Sequence, residues 1–209
     1  SPKTAKFIKA FVASAVALAI LVPIILWIAQ KPFAASVFEF GNVKEFSGTI
    51  QARPIPFLLV ENNKTEDGLP RFERFPLVGE GKHGFEGSVE TGVSGLVSIT
   101  EQTEQLGTFT LRGEIVDSKC YLGVMNPGQS KPHRDCAVAC LRGGIPALLI
   151  VRDKAGKPTE LWLLSKDGGS VNQQVLDYVA EPVEISGEVS RIGDQLFFRI
   201  DPKQIARLP

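Results

Sequence analysis

The sequence predicts a mainly β protein in which an N-terminal transmembrane helix precedes two tandem small β-barrel domains, the second in the order β-β-β-α-β-β. Three observations carry this. Residues 10–29 form an apolar run without a charge. Short stretches that alternate apolar and polar residues, or are wholly apolar, recur after residue 45. A single stretch of helical periodicity falls between the third and fourth of five strand-like segments in the second half.

From Ala10 to Ala29 the chain reads AFVASAVALAILVPIILWIA, with Ser14 its only polar side chain. Twenty residues at about 1.5 Å each span roughly 30 Å, the hydrocarbon thickness of a bilayer. Pro23 costs one backbone hydrogen bond, which membrane helices tolerate, and Trp27 falls where an interfacial aromatic belongs. Ala13 and Ala17, with Ala19 two positions on, permit close packing against other membrane helices. Lys3, Lys6 and Lys9 precede the run and only Lys31 follows it closely. The positive-inside bias therefore puts residues 1–9 in the cytoplasm, the helix over 10–30, a linker over 31–44, and the remainder in the periplasm of a bacterial inner membrane. A cleaved signal peptide is the rival reading. Its apolar core usually runs only about 7 to 15 residues, and Phe33 in KPFAAS stands where cleavage wants a small residue.

The formal charge is zero, but residues 1–30 hold three lysines and no acid, which leaves 20 basic and 23 acidic residues outside them. Such a balance excludes a nucleic-acid partner, which calls for clustered Lys and Arg. The expected partners are the lipid bilayer and integral membrane subunits of a larger complex.

The second domain, 108–209, is the clearer. TFTLRGEIVD (108–117) alternates, PALLIV (146–151) is apolar, and ELWLLS (160–165) follows across RDKAGKP as a hairpin. In SVNQQVLDYVA, Val171, Val175, Leu176 and Val179 recur at helical spacing behind Ser170 as N-cap, which predicts a helix of about three turns. PVEISGEVSRIGDQLFFRI gives two more strands about Gly193-Asp194, with a bulge or bend at Gly187. This order is that of the five-stranded OB barrel; the alternative is a β-sandwich fragment with an inserted helix. The first domain, 45–107, is a divergent echo: FSGTIQARPIPFLLV (46–60) aligns with LRGEIVD and GIPALLIV. Residues 61–76 read as a long exposed loop, with Glu66 and Asp67 as solvated charges.

All three cysteines fall in DSKCYLGVMNPGQSKPHRDCAVACLRGG (117–144), spaced C-x15-C-x3-C, with His133 three residues before Cys136. On the exported side of a membrane the first expectation is a disulfide. If Cys136 and Cys140 share a helical turn, their Cβ atoms lie about 5 to 6 Å apart, beyond the roughly 3.5 to 4.5 Å a disulfide needs. Cys120 would then pair with one of them, contributing about 3 kcal/mol, and one thiol is left over. The alternative is a Cys3His zinc site of Cys120, His133, Cys136 and Cys140, with the right donor types at loose spacing. A third reading is a redox thiol activated by Arg134, Arg142 or a helix starting near His133. Asp117 is placed to cap the turn at Ser118 or to orient His133.

The arrangement G-E-I-V-D-S-K-C, then H-x-x-C-A-x-x-C-x-x-G-G, an apolar strand and the closing ISGEVSRIGDQLFFRI resembles a family of exported bacterial OB-like domains. The resemblance covers residues 111–208. It implies an OB-like fold and an exported bacterial setting, and it brings no activity. The anchor and first domain depart from the plainer members.

GEGKHG (79–84) is a tight turn that offers backbone N–H groups to an anion, and His83 would reach His133 if the two halves pack closely. No nucleophile elbow or H-E-x-x-H helix is present. The leading expectation is a non-catalytic, single-pass accessory subunit of a membrane complex, of the electron-transfer kind, without a cofactor. The alternatives are a redox or metal-handling module built on the Cys/His cluster, with zinc or another metal, and a ligand-binding module using the barrel face.

Overall fold

The computed structural model describes residues 2–29, 45–64, 70–85, 103–125 and 127–209. The chain divides into two units, residues 1–35 and 36–209. The first contains helix α1, Pro2–Ala29, with proline at its first position, where a missing N–H costs nothing. It starts before the apolar run and takes in Lys3, Lys6 and Lys9; Pro23 lies inside it. Side chains of residues 2–28 are exposed, and the helix is long and apolar enough to cross a membrane.

The second unit is built on a closed barrel of five strands: β4 (Glu104–Asp117), β5 (Ala147–Arg152), β6 (Pro158–Ser165), β7 (Pro182–Ile192) and β8 (Gln195–Ile200). The order around the barrel is β4-β5-β6-β8-β7, and β7 pairs back onto β4. All of these pairings are antiparallel except β6 with β8. Closure removes the free edges that an open sheet exposes. A short strand β9, Ala206–Arg207, adds to β7. Alternation along each strand sends Ile115, Leu149, Leu161, Leu163, Ile185 and Phe198 into a filled interior.

The five strands and the β5–β6 hairpin fall where the periodicity predicts them. Two details differ. The expected three-turn helix is a single turn, α3 (Asn172–Val175), continued by a 3-10 turn over Leu176–Tyr178. Val171, Val175 and Val179 are buried as the spacing requires, but Ala180 at φ 60° breaks the helix so that the chain can enter β7 at Pro182. The N-cap is Val171 rather than Ser170, which lies one residue earlier in the chain and whose hydroxyl accepts from the Asn172 N–H at 3.2 Å. Gly187 does not bulge: pairing runs through it without a break, and the register shift falls at Gln105/Gly107. A side chain at 187 would strike the Arg199 carbonyl and the Phe198 ring, so close strand approach is what the glycine serves.

Among the described residues the first half forms a three-stranded antiparallel sheet: β1 (Thr49–Gln51), β2 (Phe57–Lys64) and β3 (Pro70–Pro76). Residues 86–102, where a further part of a first barrel would fall, lie outside the described residues, as do Glu66 and Asp67. Within the expected loop over 61–76, residues 61–64 are the end of β2 and 70–76 are β3, registered from Phe57↔Pro76 to Lys64↔Pro70, and 65–69 lie outside the described residues. Charges in PRFERFP imitate a loop, yet Phe72 packs towards the barrel. Arg74 is almost fully buried and donates to Asp194 in the β7–β8 turn at 2.8 Å. Phe75, on the other face of β3, stacks on Phe46 at 4.8 Å.

This sheet covers the outer face of the barrel. Ile55, Phe57 and Leu59 join Val116, Leu148, Ile150, Trp162, Leu164 and Phe197 in one core, and Phe57 meets Trp162 edge to face at 5.3 Å. Strands β5 and β6 are thus buried on both faces, which accounts for their unbroken apolar runs. Replacing Phe57 with Ala should lower the unfolding free energy by about 3 to 4 kcal/mol, measured by denaturant titration followed through Trp162 emission. A loss below about 1 kcal/mol would mean that the sheet is a loose flap rather than part of the core.

Candidate metal centre

The site grows from the end of β4. Its last residue, Asp117, is fully buried and forks: one carboxylate oxygen accepts the Cys120 N–H at 2.8 Å, and the other lies 3.0 Å from His133 Nε2. Both sequence expectations for Asp117 are met at once. The first contact bends the chain into a π-type turn over Cys120–Val124. The second fixes His133, itself 3% exposed, at the mouth of the helix that follows.

That helix is α2, Arg134–Arg142, inserted between the first two barrel strands. Asp135 in its first turn and Arg142 in its last complement the helix dipole. Its buried face is Ala137, Cys140 and Leu141, and Gly143 and Gly144 end it. The Asn172 side-chain amide donates to the carbonyls of Leu141 and Ile145 at 2.9 and 2.8 Å, tying the end of α2 to α3.

The turn and the helix bring the three cysteines together. Cys120 Sγ lies 3.9 Å from Cys136 Sγ and 3.9 Å from Cys140 Sγ, and the three sulfur atoms lie within 4.8 Å of one another. All three are free cysteines, with separations near twice the roughly 2.05 Å of a disulfide. A tetrahedral ion with bonds of about 2.3 Å to sulfur has edges of about 3.8 Å, and a trigonal one edges of about 4.0 Å. The two edges at Cys120 match either. His133 does not complete one compact group with all three thiols. It joins Asp117 and Cys120 in a second group within 4.8 Å, and Cys120 is common to the two.

The electrostatics oppose a pre-activated thiol. Burial, and then the Asp117 carboxylate, push the Cys120 thiol far above its ordinary value. The same two causes push Cys140 up to about 11. At Cys120 and Cys140 these shifts run opposite to activation by Arg134 or Arg142. A bound cation reverses that logic by deprotonating the thiols it coordinates.

One contributor was hidden in GEGKHG. The segment folds into a tight turn, with Gly79 N–H donating to the His83 carbonyl at 3.0 Å and Val78 bridging to Gly84. It docks on the end of α2, where Gly84 N–H donates to Gly143 O at 2.6 Å. Any side chain at 143 would strike the Lys82 carbonyl. Lys119 clamps the turn from below, donating to the carbonyls of Gly79 and Gly81 at 2.8 and 2.7 Å. Lys82 consequently donates to Cys136 Sγ at 3.4 Å, and this contact raises the Lys82 pKa. The turn thus meets a cysteine side chain through the Lys82 ammonium, not an anion through backbone N–H. His83 is exposed, 3.2 Å from the Glu80 carbonyl, and does not meet His133.

The ligand-binding reading finds less. The barrel interior is filled, and the face that OB domains use for ligands, over the second and third strands, is covered by the β1–β3 sheet. An open cleft of about 320 Å³ over Gly187 carries Lys166, Arg199, Glu188 and Asp201. Its charges offset one another, and Lys166 already pairs with Asp201 at 3.2 Å.

Two outcomes follow for the carboxylates. Asp117→Ala should cost about 3 kcal/mol, as removing one partner of a buried polar pair does; a denaturation midpoint unchanged from wild type would show that the fork is dispensable. Burial raises the Glu114 pKa, against the Ser130 N–H that it accepts. A carboxyl whose folded pKa is raised contributes stability below its unfolded value, and loses it as pH rises through the folded one. Glu114→Gln should therefore gain stability relative to wild type as pH rises from the ordinary carboxylate range to neutrality, and a difference that stays flat with pH would refute this. Comparison with protein-family models, curated proteins and solved structures gives no match, so the site's chemistry rests on its geometry.

Proposed function

We propose that this chain is a membrane-tethered metal-binding module in which Cys120, Cys136 and Cys140 hold one soft or borderline ion such as Zn(II). The observation that carries this reading is the convergence of three sulfur atoms within 4.8 Å of one another, with Cys120 Sγ 3.9 Å from each of the other two, the spacing of thiolates around a single ion. A cubane iron–sulfur cluster binds each thiolate through a different iron and would hold them further apart. His133 stands beside Cys120, though not in one compact group with all three thiols. With its Nε2–H given to Asp117, Nδ1 is the nitrogen left to ligate, and a carboxylate behind a histidine is the usual outer-sphere support.

The N-terminal helix tethers this module, and its lysines favour the barrel on the periplasmic side. Its apolar surface, exposed along the whole described helix, is a surface for lipid or for integral membrane subunits, with Ala13 and Ala17 as points of close approach. In this reading the chain is accessory to a membrane complex, and the metal centre is its working part.

Metal-free, reduced protein should bind one Co(II) per chain with an intense sulfur-to-cobalt charge-transfer band in the near ultraviolet. Changing any one of Cys120, Cys136 or Cys140 to Ser should weaken binding by at least about tenfold. Bound metal should raise the thermal midpoint, since an ion that binds only the folded chain stabilises it. Native protein with a disulfide involving Cys120, and no affinity for Co(II) or Zn(II) after reduction, would refute the reading in favour of a staple.

A further inference from the structure

We propose that the centre exchanges its ion with thiol ligands, that Cys136 is the sulfur that leaves, and that Lys82 receives its charge. The inference rests on the metal-binding reading and adds how the ion enters and departs. The three cysteines are not equivalent. Cys120 and Cys140 are 4% and 1% exposed, whereas Cys136 is only partly buried and lies towards solvent on α2. Cys120 is further held by its backbone N–H on Asp117. Cys140 packs with Cys120 and Ile145 in a small apolar cluster. An incoming ligand therefore meets the ion along the Cys136 edge.

Lys82 covers that edge, its ammonium 3.4 Å from Cys136 Sγ. It comes from the first half of the chain and is positioned by Lys119 and by the docking of Gly84 on Gly143. An exchange step then balances without an oxidant. The sulfur of an incoming thiolate forms a bond to the ion, the bond from the ion to Cys136 Sγ breaks, and Cys136 keeps the electron pair as a thiolate facing the Lys82 ammonium. Cys120 and Cys140 stay bound throughout. The partner class is a thiol acceptor or donor, either a small cysteine-containing thiol or a cysteine of another protein.

The test uses the full chain in detergent, loaded with one equivalent of Zn(II). Limiting N-ethylmaleimide should modify Cys136 at least about tenfold ahead of Cys120 and Cys140, because Cys136 is the most accessible of the three. Glutathione-driven transfer of zinc to a chromogenic chelator should rise linearly with glutathione. Lys82→Gln should slow that transfer by about threefold, the scale of an exposed charge pair, while Lys82→Arg retains it. Modification of Cys120 or Cys140 first, or transfer independent of glutathione, would overturn Cys136 as the leaving ligand while the centre itself stands. Faster transfer in Lys82→Gln would overturn the role of Lys82. A chain that holds no zinc removes the centre and the exchange route together.

Discussion

The architecture turns on one strand that serves two neighbours. β4 pairs with β7 from Glu104 to Glu114 and with β5 from Gly113 to Asp117. Only a 14-residue strand can do both. The overlap at Gly113 and Glu114 closes the barrel, and the last residues of the same strand leave it at Asp117. Closure thus fixes the position of a buried carboxylate, which in turn fixes Cys120 and His133. A barrel with a free edge at β4 would have no such rigid end from which to hang a site.

Three separate parts of the chain then meet at the thiols: the turn after β4, helix α2, and the 79–84 turn from the first half. The sheet of the first half covers the outer barrel face through Phe57 and its neighbours, and the chain beyond β3 brings Lys82 to Cys136. The same layer occupies the surface an OB-like barrel would offer to a ligand. That moves the interesting chemistry from the barrel face to the insertion between its first two strands, where buried Asp117 and His133 face one another.

Much of the barrel was legible because strand periodicity and turn residues agreed. LRGEIVD and the two strands about Gly193-Asp194 read directly. Three features did not. The apolar runs of β5 and β6 announced burial on both faces, but not what covers the second face. β3 was hidden by the charges of PRFERFP, since a buried Arg74 paired with Asp194 across 120 positions cannot be foreseen from local pattern. The helix at 172–175 was overcalled because the valine spacing fits a helix and equally fits a short turn that buries the same side chains. At the site, the i, i+4 spacing of Cys136 and Cys140 placed both on one turn of helix α2. What spacing could not give was Cys120 at equal distance from both, an arrangement made by the π-type turn and the Asp117 fork. Lys82 was legible only as part of a glycine-rich turn.

The sulfur geometry, the buried Asp117–His133 pair and the docked lysine all bear on one claim: that the three cysteines ligate a single ion. X-ray absorption at the metal edge, on full-length protein loaded with one Zn(II), reads the first shell directly. The account predicts three sulfur scatterers at about 2.3 Å, with one nitrogen or oxygen completing the shell. A shell of nitrogen and oxygen alone, or fewer than two sulfurs, would contradict it.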